Sequence, residues 1–178
     1  LHFRTTFDPD VIVPNALFAD GAAAVVGRSA DARVPSDADT LLAASGSYLV
    51  PDSEELMSWR VREDAFRMSL SPRLPMAIQA HLASWLSQWL RQHDLVIEDV
   101  RYWAVHPGGV RVLHAVQTAL SLSSEQIAAS HAVLRRFGNM SSPTVLFVLD
   151  HLRREKAPPP WVALAFGPGL TIEALLFV

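Results

Sequence analysis

Val100-Arg101-Tyr102-Trp103-Ala104-Val105-His106-Pro107-Gly108-Gly109 is the stretch whose reading decides the fold. Val100 to Val105 is a short, nearly continuous apolar run, the mark of a strand buried on both faces. It breaks into a His-Pro-Gly-Gly turn, and the two glycines open a helix running to about Leu122. Strand, turn and helix in that order predict an α/β arrangement.

The neighbouring segments extend the pattern. Ser123-Ser124-Glu125-Gln126 fits a capping box, so a second helix starts there and ends at Gly138. Ser142-Pro143 suits the N-cap and first turn of a helix from Thr144 to about Glu155. Ala157-Pro158-Pro159-Pro160 reads as a stiff loop. Trp161 to Phe166 and Leu170 to Val178 read as strands joined by Gly167-Pro168-Gly169. Upstream, Met76 to Leu95 carries Met76, Ile78, Leu82, Trp85, Leu86, Trp89 and Leu90 close to helical period, with Trp85 and Trp89 on one face. His81 and His93 on that helix read as surface residues. Leu41 to Val50 reads as a strand stopped by Pro51-Asp52, and Arg28 to Asp39 as a loop. Ala16 to Val26 reads as two strand pieces around a tight turn or bulge. The chain opens on Leu1-His2-Phe3-Arg4, inside what reads as a strand and without an initiating Met. We therefore expect further sequence upstream.

Composition narrows the function. The chain has 178 residues, half of them hydrophobic and 19% charged, enough apolar mass for a sizeable core. Fifteen basic and 18 acidic residues are well mixed and leave a net charge of −3, which argues against a nucleic-acid footprint. The absence of cysteine excludes disulfides and thiolate metal sites, and fits a cytoplasmic protein. The seven histidines show no spacing that recommends a metal site. Every apolar run is interrupted by charge or proline before it reaches membrane-spanning length, so no membrane partner is expected.

Two polar residues stand where chemistry is easiest to build. His106 follows a buried strand and precedes glycines that let a helix N-terminus and a ligand come close. Its ring can donate to a developing oxyanion or pair with a thiolate; it can equally be a strand-end histidine bonded to backbone. Asn139 follows a helix-ending glycine, where a carboxamide can donate in the same way or simply cap a helix. His and Asn are two thirds of a Cys-His-Asn acyl-transfer site, yet this chain has no cysteine.

His106-Pro107-Gly108-Gly109, Gly138-Asn139-Met140-Ser141-Ser142 and Phe166-Gly167-Pro168-Gly169-Leu170-Thr171-Ile172-Glu173, in that order and spacing, resemble the chalcone and stilbene synthase family, the type III polyketide synthases. Leu17-Phe18-Ala19-Asp20-Gly21-Ala22-Ala23-Ala24 resembles the family as well. The resemblance implies a duplicated, thiolase-like αβαβα layered fold. Residues 1–38 would end its N-terminal half and residues 39–178 would form its C-terminal half. It implies a homodimer that needs no cofactor and takes malonyl-CoA and an acyl-CoA as substrates. Condensation would be a decarboxylative Claisen reaction on a Cys-His-Asn site. Carried over by motif, His106 and Asn139 form the catalytic pair. Phe18 matches a gatekeeper phenylalanine, Met68 the position of a second one, and Trp59 a cavity-wall glycine of plant members. Ser141 matches a cavity serine, and Gly167, Pro168 and Gly169 the loop that shapes the cavity.

Three departures qualify the resemblance. Trp59 is large where plant members are small, and Met68 is flexible where they are rigid. With Leu56-Met57-Ser58 and Phe66-Arg67, these residues look more like bacterial members, many of which use aliphatic starters to make alkylpyrones or alkylresorcinols. The family's cysteine lies a few dozen residues upstream of the point matching Leu1, so the chain is expected to be inactive alone. Two other readings stay open here: a ketoacyl-ACP synthase III-like enzyme, against which the Asn-Met-Ser-Ser and Phe-Gly-Pro-Gly pattern argues, and a non-catalytic thiolase-like dimerisation or binding module.

Overall fold

The computed structural model describes residues 16–29, 40–61 and 66–178. β1 (Leu42–Leu49) is followed by a hairpin of β2 (Met57–Val61) and β3 (Phe66–Leu70), then by helix α1 (Leu74–Arg91). β4 (Tyr102–Val105) leads into α2 (Val110–Leu120), α3 (Ala128–Phe137) and α4 (Pro143–Arg154). β5 (Trp161–Gly167) and β6 (Thr171–Phe177) complete the described elements. Four strands form one mixed sheet in the order β1-β6-β5-β4. β4 and β5 run parallel, while β6 is antiparallel to both of its neighbours.

The period-two alternation along each strand divides the sheet's two faces. Trp103, Val105, Val162, Leu164, Ile172, Ala174 and Leu176 point to one face and are buried there. That face is covered by α1, through Ile78, Leu82, Leu86 and Leu90, and by α2, through Leu113, Val116 and Leu120. Ala104, Trp161 and Ala163 point the other way, against Ala129 and Val133 of α3 and Val148 and Leu152 of α4. Helices on both faces of a mixed sheet are the layers of a thiolase-like α/β fold.

Local sequence explains most of these elements. The apolar residues of α1 recur every fourth position from Leu74 to Leu90, and Pro75 sits in its first turn. The reciprocal bonds of the expected capping box form, the Ser123 amide donating to Gln126 Oε1 at 2.9 Å and the Gln126 amide to Ser123 Oγ at 3.4 Å, but they close a turn and α3 itself begins only at Ala128, with Ile127 as its N-cap. Trp85 and Trp89 stack on each other, and Tyr48 of β1 stacks on Trp85. Gly46 makes room for this ladder, since a Cβ there would lie 2.5 Å from Trp89 Nε1.

Four expectations need correction. Ala16 to Val26 is not a pair of strand pieces: Ala16-Leu17 forms a helical turn, Phe18 a single bridge, and the rest is irregular and exposed. Glycine and a run of small alanines leave that segment too little side chain to hold a ladder. Ser142 is the N-cap residue of α4 and Pro143 lies in its first turn, as expected, but the Ser142 side chain makes no cap bond; Thr144 takes over that end, as described below. His81 and His93 are half-buried rather than surface residues. The Tyr48 hydroxyl lies 3.5 Å from His81 Nδ1, and His93, just past the end of α1, meets Trp89 edge-on. Finally, the β2–β3 hairpin was not anticipated, although Met57, Trp59 and Val61 alternate with Ser58 and Arg60. The opening residues Leu1 to Arg4 and most of the loop up to Asp39 lie outside the described residues.

Candidate active site

β1, β4 and β5 run in the same direction, so their carboxyl ends gather at one edge of the sheet. Loops at such an edge are the usual place for a site in an α/β sheet. Three loops lie there: Val50 to Leu56 after β1, His106 to Gly109 after β4, and Pro168 to Leu170 after β5.

His106 extends the parallel ladder by one more bond, its amide donating to Leu164 O at 2.7 Å. Its carbonyl then accepts from the Gly108 amide at 2.9 Å, which turns the chain toward α2. The ring stays close to Gly108: a Cβ there would lie 3.6 Å from His106 Cδ2 and 3.7 Å from Nε2. The side chain is half-buried, and burial pulls the imidazole pKa from 6.5 down to about 4. At neutral pH the ring is therefore uncharged, with one N–H to donate.

Asn139 is buried and clamped on both sides. Its amide donates to Leu17 O at 2.9 Å, and its carbonyl accepts from the Ala19 amide at 2.8 Å, forming a parallel bridge with Phe18. Gly138 permits this approach. Its φ of +73° favours glycine, and a Cβ would come within 3.1 Å of Ala19 Cβ. Gly21 lies directly over the Met140 side chain, with no room for a Cβ.

The carboxamide is oriented without ambiguity. Its Oδ1 accepts the Ser141 amide at 2.9 Å, which identifies the other atom as nitrogen. Nδ2 donates to Gly108 O at 3.2 Å. An amide nitrogen carries two hydrogens, so among the described residues one N–H remains for a further acceptor. The histidine and the asparagine thus both lie beside Gly108, whose carbonyl accepts from Asn139 and whose Cα faces the His106 ring across the space a Cβ would fill.

Among the other residues expected in the site, Phe18 is half-buried and lies beside Asn139 through the backbone bridge. Ser141 is exposed next to Asn139, in the left-handed region at φ +63°. That conformation is uncommon for a residue with a side chain and collects at functional sites. Gly167, Pro168 and Gly169 form the turn between β5 and β6 at the same edge of the sheet. Trp59 and Met68 are brought together as a directly opposed pair of the β2–β3 hairpin. Trp59 is 42% exposed, whereas Met68 packs against the main core. Among the described residues no hydrogen bond or ring contact joins that pair to His106 or Asn139. A cleft of about 490 Å³ beside Val50, Ser53, Arg73, Met76 and His81 is lined by none of the expected site residues.

Two residues escaped the sequence reading. Thr144 is completely buried and bonds the turn that carries Asn139. Ser53 is 2% exposed. Its Oγ accepts the Leu170 amide at 2.6 Å and faces the carbonyls of Val50 and Gly169 at 2.6 and 2.8 Å, pinning the Gly-Pro-Gly turn to the end of β1. Position in a motif was the only signal for either: Thr144 follows Asn-Met-Ser-Ser-Pro, and Ser53 sits in the Pro-Asp-Ser-Glu loop. Among the described residues no group of His, Asp and Glu could hold a metal ion, and no helix is long and apolar enough to cross a membrane.

Helices layered on both faces of this mixed sheet, with His106 and Asn139 at one end of it, give the frame of a thiolase-like fold. Residues 41–178 match the family of chalcone and stilbene synthases, C-terminal domain, and the chain belongs to that family. It is 40% identical over 168 residues to the 1,3,6,8-tetrahydroxynaphthalene synthase of Streptomyces peucetius subsp. caesius, covering 93% of this chain and 45% of that protein. It is 35% identical over 175 residues to the alpha-pyrone synthesis polyketide synthase-like Pks18 of Mycobacterium tuberculosis, covering 96% of this chain and 44% of that one. The crystal structure of PKS-I from the brown alga Ectocarpus siliculosus superimposes with a TM-score of 0.78 at 31% identity, over 84% of this chain and 41% of that one. The chain thus spans less than half the length of these relatives, over the C-terminal portion of a bacterial-type type III polyketide synthase.

Proposed function

We propose that this chain supplies the oxyanion-binding half of a polyketide synthase site that condenses malonyl-CoA with an acyl-CoA starter. The observation that carries the reading is the Asn139 carboxamide, held beside the His106 turn with one Nδ2 hydrogen unclaimed among the described residues. The nucleophilic cysteine would come from the N-terminal half of the complete enzyme, whose last residues would be 1–38, ahead of a C-terminal half from 39 onward.

The chemistry follows from two donors and one thiolate. The cysteine thiolate attacks the starter thioester, forming an acyl-enzyme and releasing the CoA thiolate. His106, neutral at pH 7 through desolvation, gains its proton when a thiolate stands beside it and so keeps the cysteine ionised. Malonyl-CoA then binds with its thioester oxygen toward His106 and Asn139 Nδ2. Loss of CO₂ places the electron pair on that oxygen as an enolate, where the two N–H groups stabilise it. The enolate carbon attacks the acyl-enzyme, a carbon–carbon bond forms, and the cysteine leaves as thiolate. No cofactor takes part. On this reading the complete enzyme is a cytoplasmic homodimer, with Phe18, Trp59, Met68, Ser141 and the Gly167-Pro168-Gly169 turn around the growing chain.

The test is His106→Ala and Asn139→Ala in the complete synthase. Each is expected to lower turnover about 10²-fold or more, the scale of losing one oxyanion donor, while circular dichroism and melting temperature change little. Near-normal rates in both variants, or failure of both to fold, would show that these residues hold structure rather than charge.

A further inference from the structure

Thr144 makes three contacts with the turn that carries Asn139. Its hydroxyl oxygen accepts the Met140 amide at 2.8 Å, and its hydrogen is directed to Ser141 O at 2.7 Å. Asn139 Oδ1 lies 3.5 Å away. A hydroxyl has one hydrogen, and the shorter contact takes it. Thr144 is wholly buried in the first turn of α4, and water cannot replace these bonds without repacking.

The bonds have a directional consequence. Ser141 is held in the left-handed region with its carbonyl bound to Thr144. In that conformation its amide points back at Asn139 Oδ1 and meets it at 2.9 Å. That contact fixes which end of the carboxamide is oxygen, and hence where the unclaimed Nδ2 hydrogen points. Without the hydroxyl, the Met140 amide loses its partner and the Ser141 carbonyl keeps only the Thr144 backbone amide at 3.0 Å. The turn can then relax toward ordinary φ values, and the lock on Oδ1 goes with it.

We infer that Thr144 is a positioning residue for the Asn139 oxyanion donor, acting through the Ser141 turn rather than on substrate. The inference rests on the proposed role of Asn139, and the experiment separates the two. In the complete synthase, Thr144→Val and Thr144→Ala remove the hydroxyl, Thr144→Ser keeps it, and Asn139→Ala serves as the control. Three quantities are measured: the burst of acyl-enzyme formed from an acyl-CoA, kcat for malonyl-CoA consumption, and KM for malonyl-CoA.

Loading the cysteine does not require the Asn139 donor to be aimed, whereas decarboxylation does. Thr144→Val should therefore keep the acyl-enzyme burst and a KM within about threefold, while kcat falls about tenfold or more, short of the roughly hundredfold loss for one missing donor. Thr144→Ser should restore kcat to within about threefold. Thr144→Ala, which adds no bulk, should show the same split and decides the matter if the valine variant does not fold. A folded, hydroxyl-free variant with wild-type kcat overturns the inference. So does a burst that falls in step with kcat, which is the mark of a structural role alone. A normal kcat in Asn139→Ala overturns the catalytic reading instead.

Discussion

His106→Gln tests the electrostatics of the site most directly. An unfolded imidazole takes up its proton below about 6.5, and the folded ring does so only below about 4, because burial removes the water that would solvate the charge. Between those two values the unfolded chain binds more protons than the folded one. Stability must therefore fall as pH falls from 6.5 to 4. Above 6.5 both states are neutral and the effect is absent; below 4 both are protonated and the loss is complete. Each tenfold difference in proton affinity is worth about 1.4 kcal/mol, so the full loss is about 3 kcal/mol. The ring is half-buried, and residual solvent makes that figure an upper bound. Glutamine keeps a polar side chain of similar reach without titrating. Urea unfolding of the chain and of His106→Gln at pH values from 7 to 4 should give two stability curves. The wild-type curve falls more steeply through that window, and the two differ by up to about 3 kcal/mol at its lower end. Parallel curves would refute the reasoning. So would an NMR titration in which the His106 ring protons report a midpoint at or above 6.5.

The purified 178-residue chain should form no polyketide from malonyl-CoA with any acyl-CoA, because it has no thiol to carry an acyl group; turnover detected by mass spectrometry would defeat the idea of a cysteine supplied from outside it. In the complete synthase, Trp59→Gly and Met68→Phe should shift the product profile across short, long and aromatic starters, since the two side chains form one cross-strand pair. An unchanged profile in an active variant would leave them as ordinary hairpin residues. Gly46→Ala should destabilise the fold by about 1–3 kcal/mol, the usual cost of overpacking, because the new methyl group meets the buried Trp89 ring at 2.5 Å. Thermal unfolding measures it, and an unshifted melting temperature would mean that the ring moves aside freely.

The sequence alone determined the elements whose side chains follow a strong local rule. The apolar run ending at Val105, the four-residue rhythm of α1 and the Gly-Pro-Gly turn each carry their own physics and formed close to where they were read, whereas the bonds of the Ser123 capping box formed in a turn ahead of the helix that begins at Ala128. The same local rules singled out His106 and Asn139, because glycines and helix ends are where a polar side chain can reach a ligand. Tertiary structure decided the rest. Nothing in the segment Leu17 to Gly21 says that its backbone bridges Asn139 and that Gly21 must lie on Met140; two distant segments had to meet first. The β2–β3 hairpin depends on pairing between strands, and His81 and His93 depend on which neighbours cover them. Thr144 and Ser53 were invisible for a similar reason. A hydroxyl is ordinary on a helix or in a loop, and it becomes decisive only when burial leaves nearby amides and carbonyls with no water to bond.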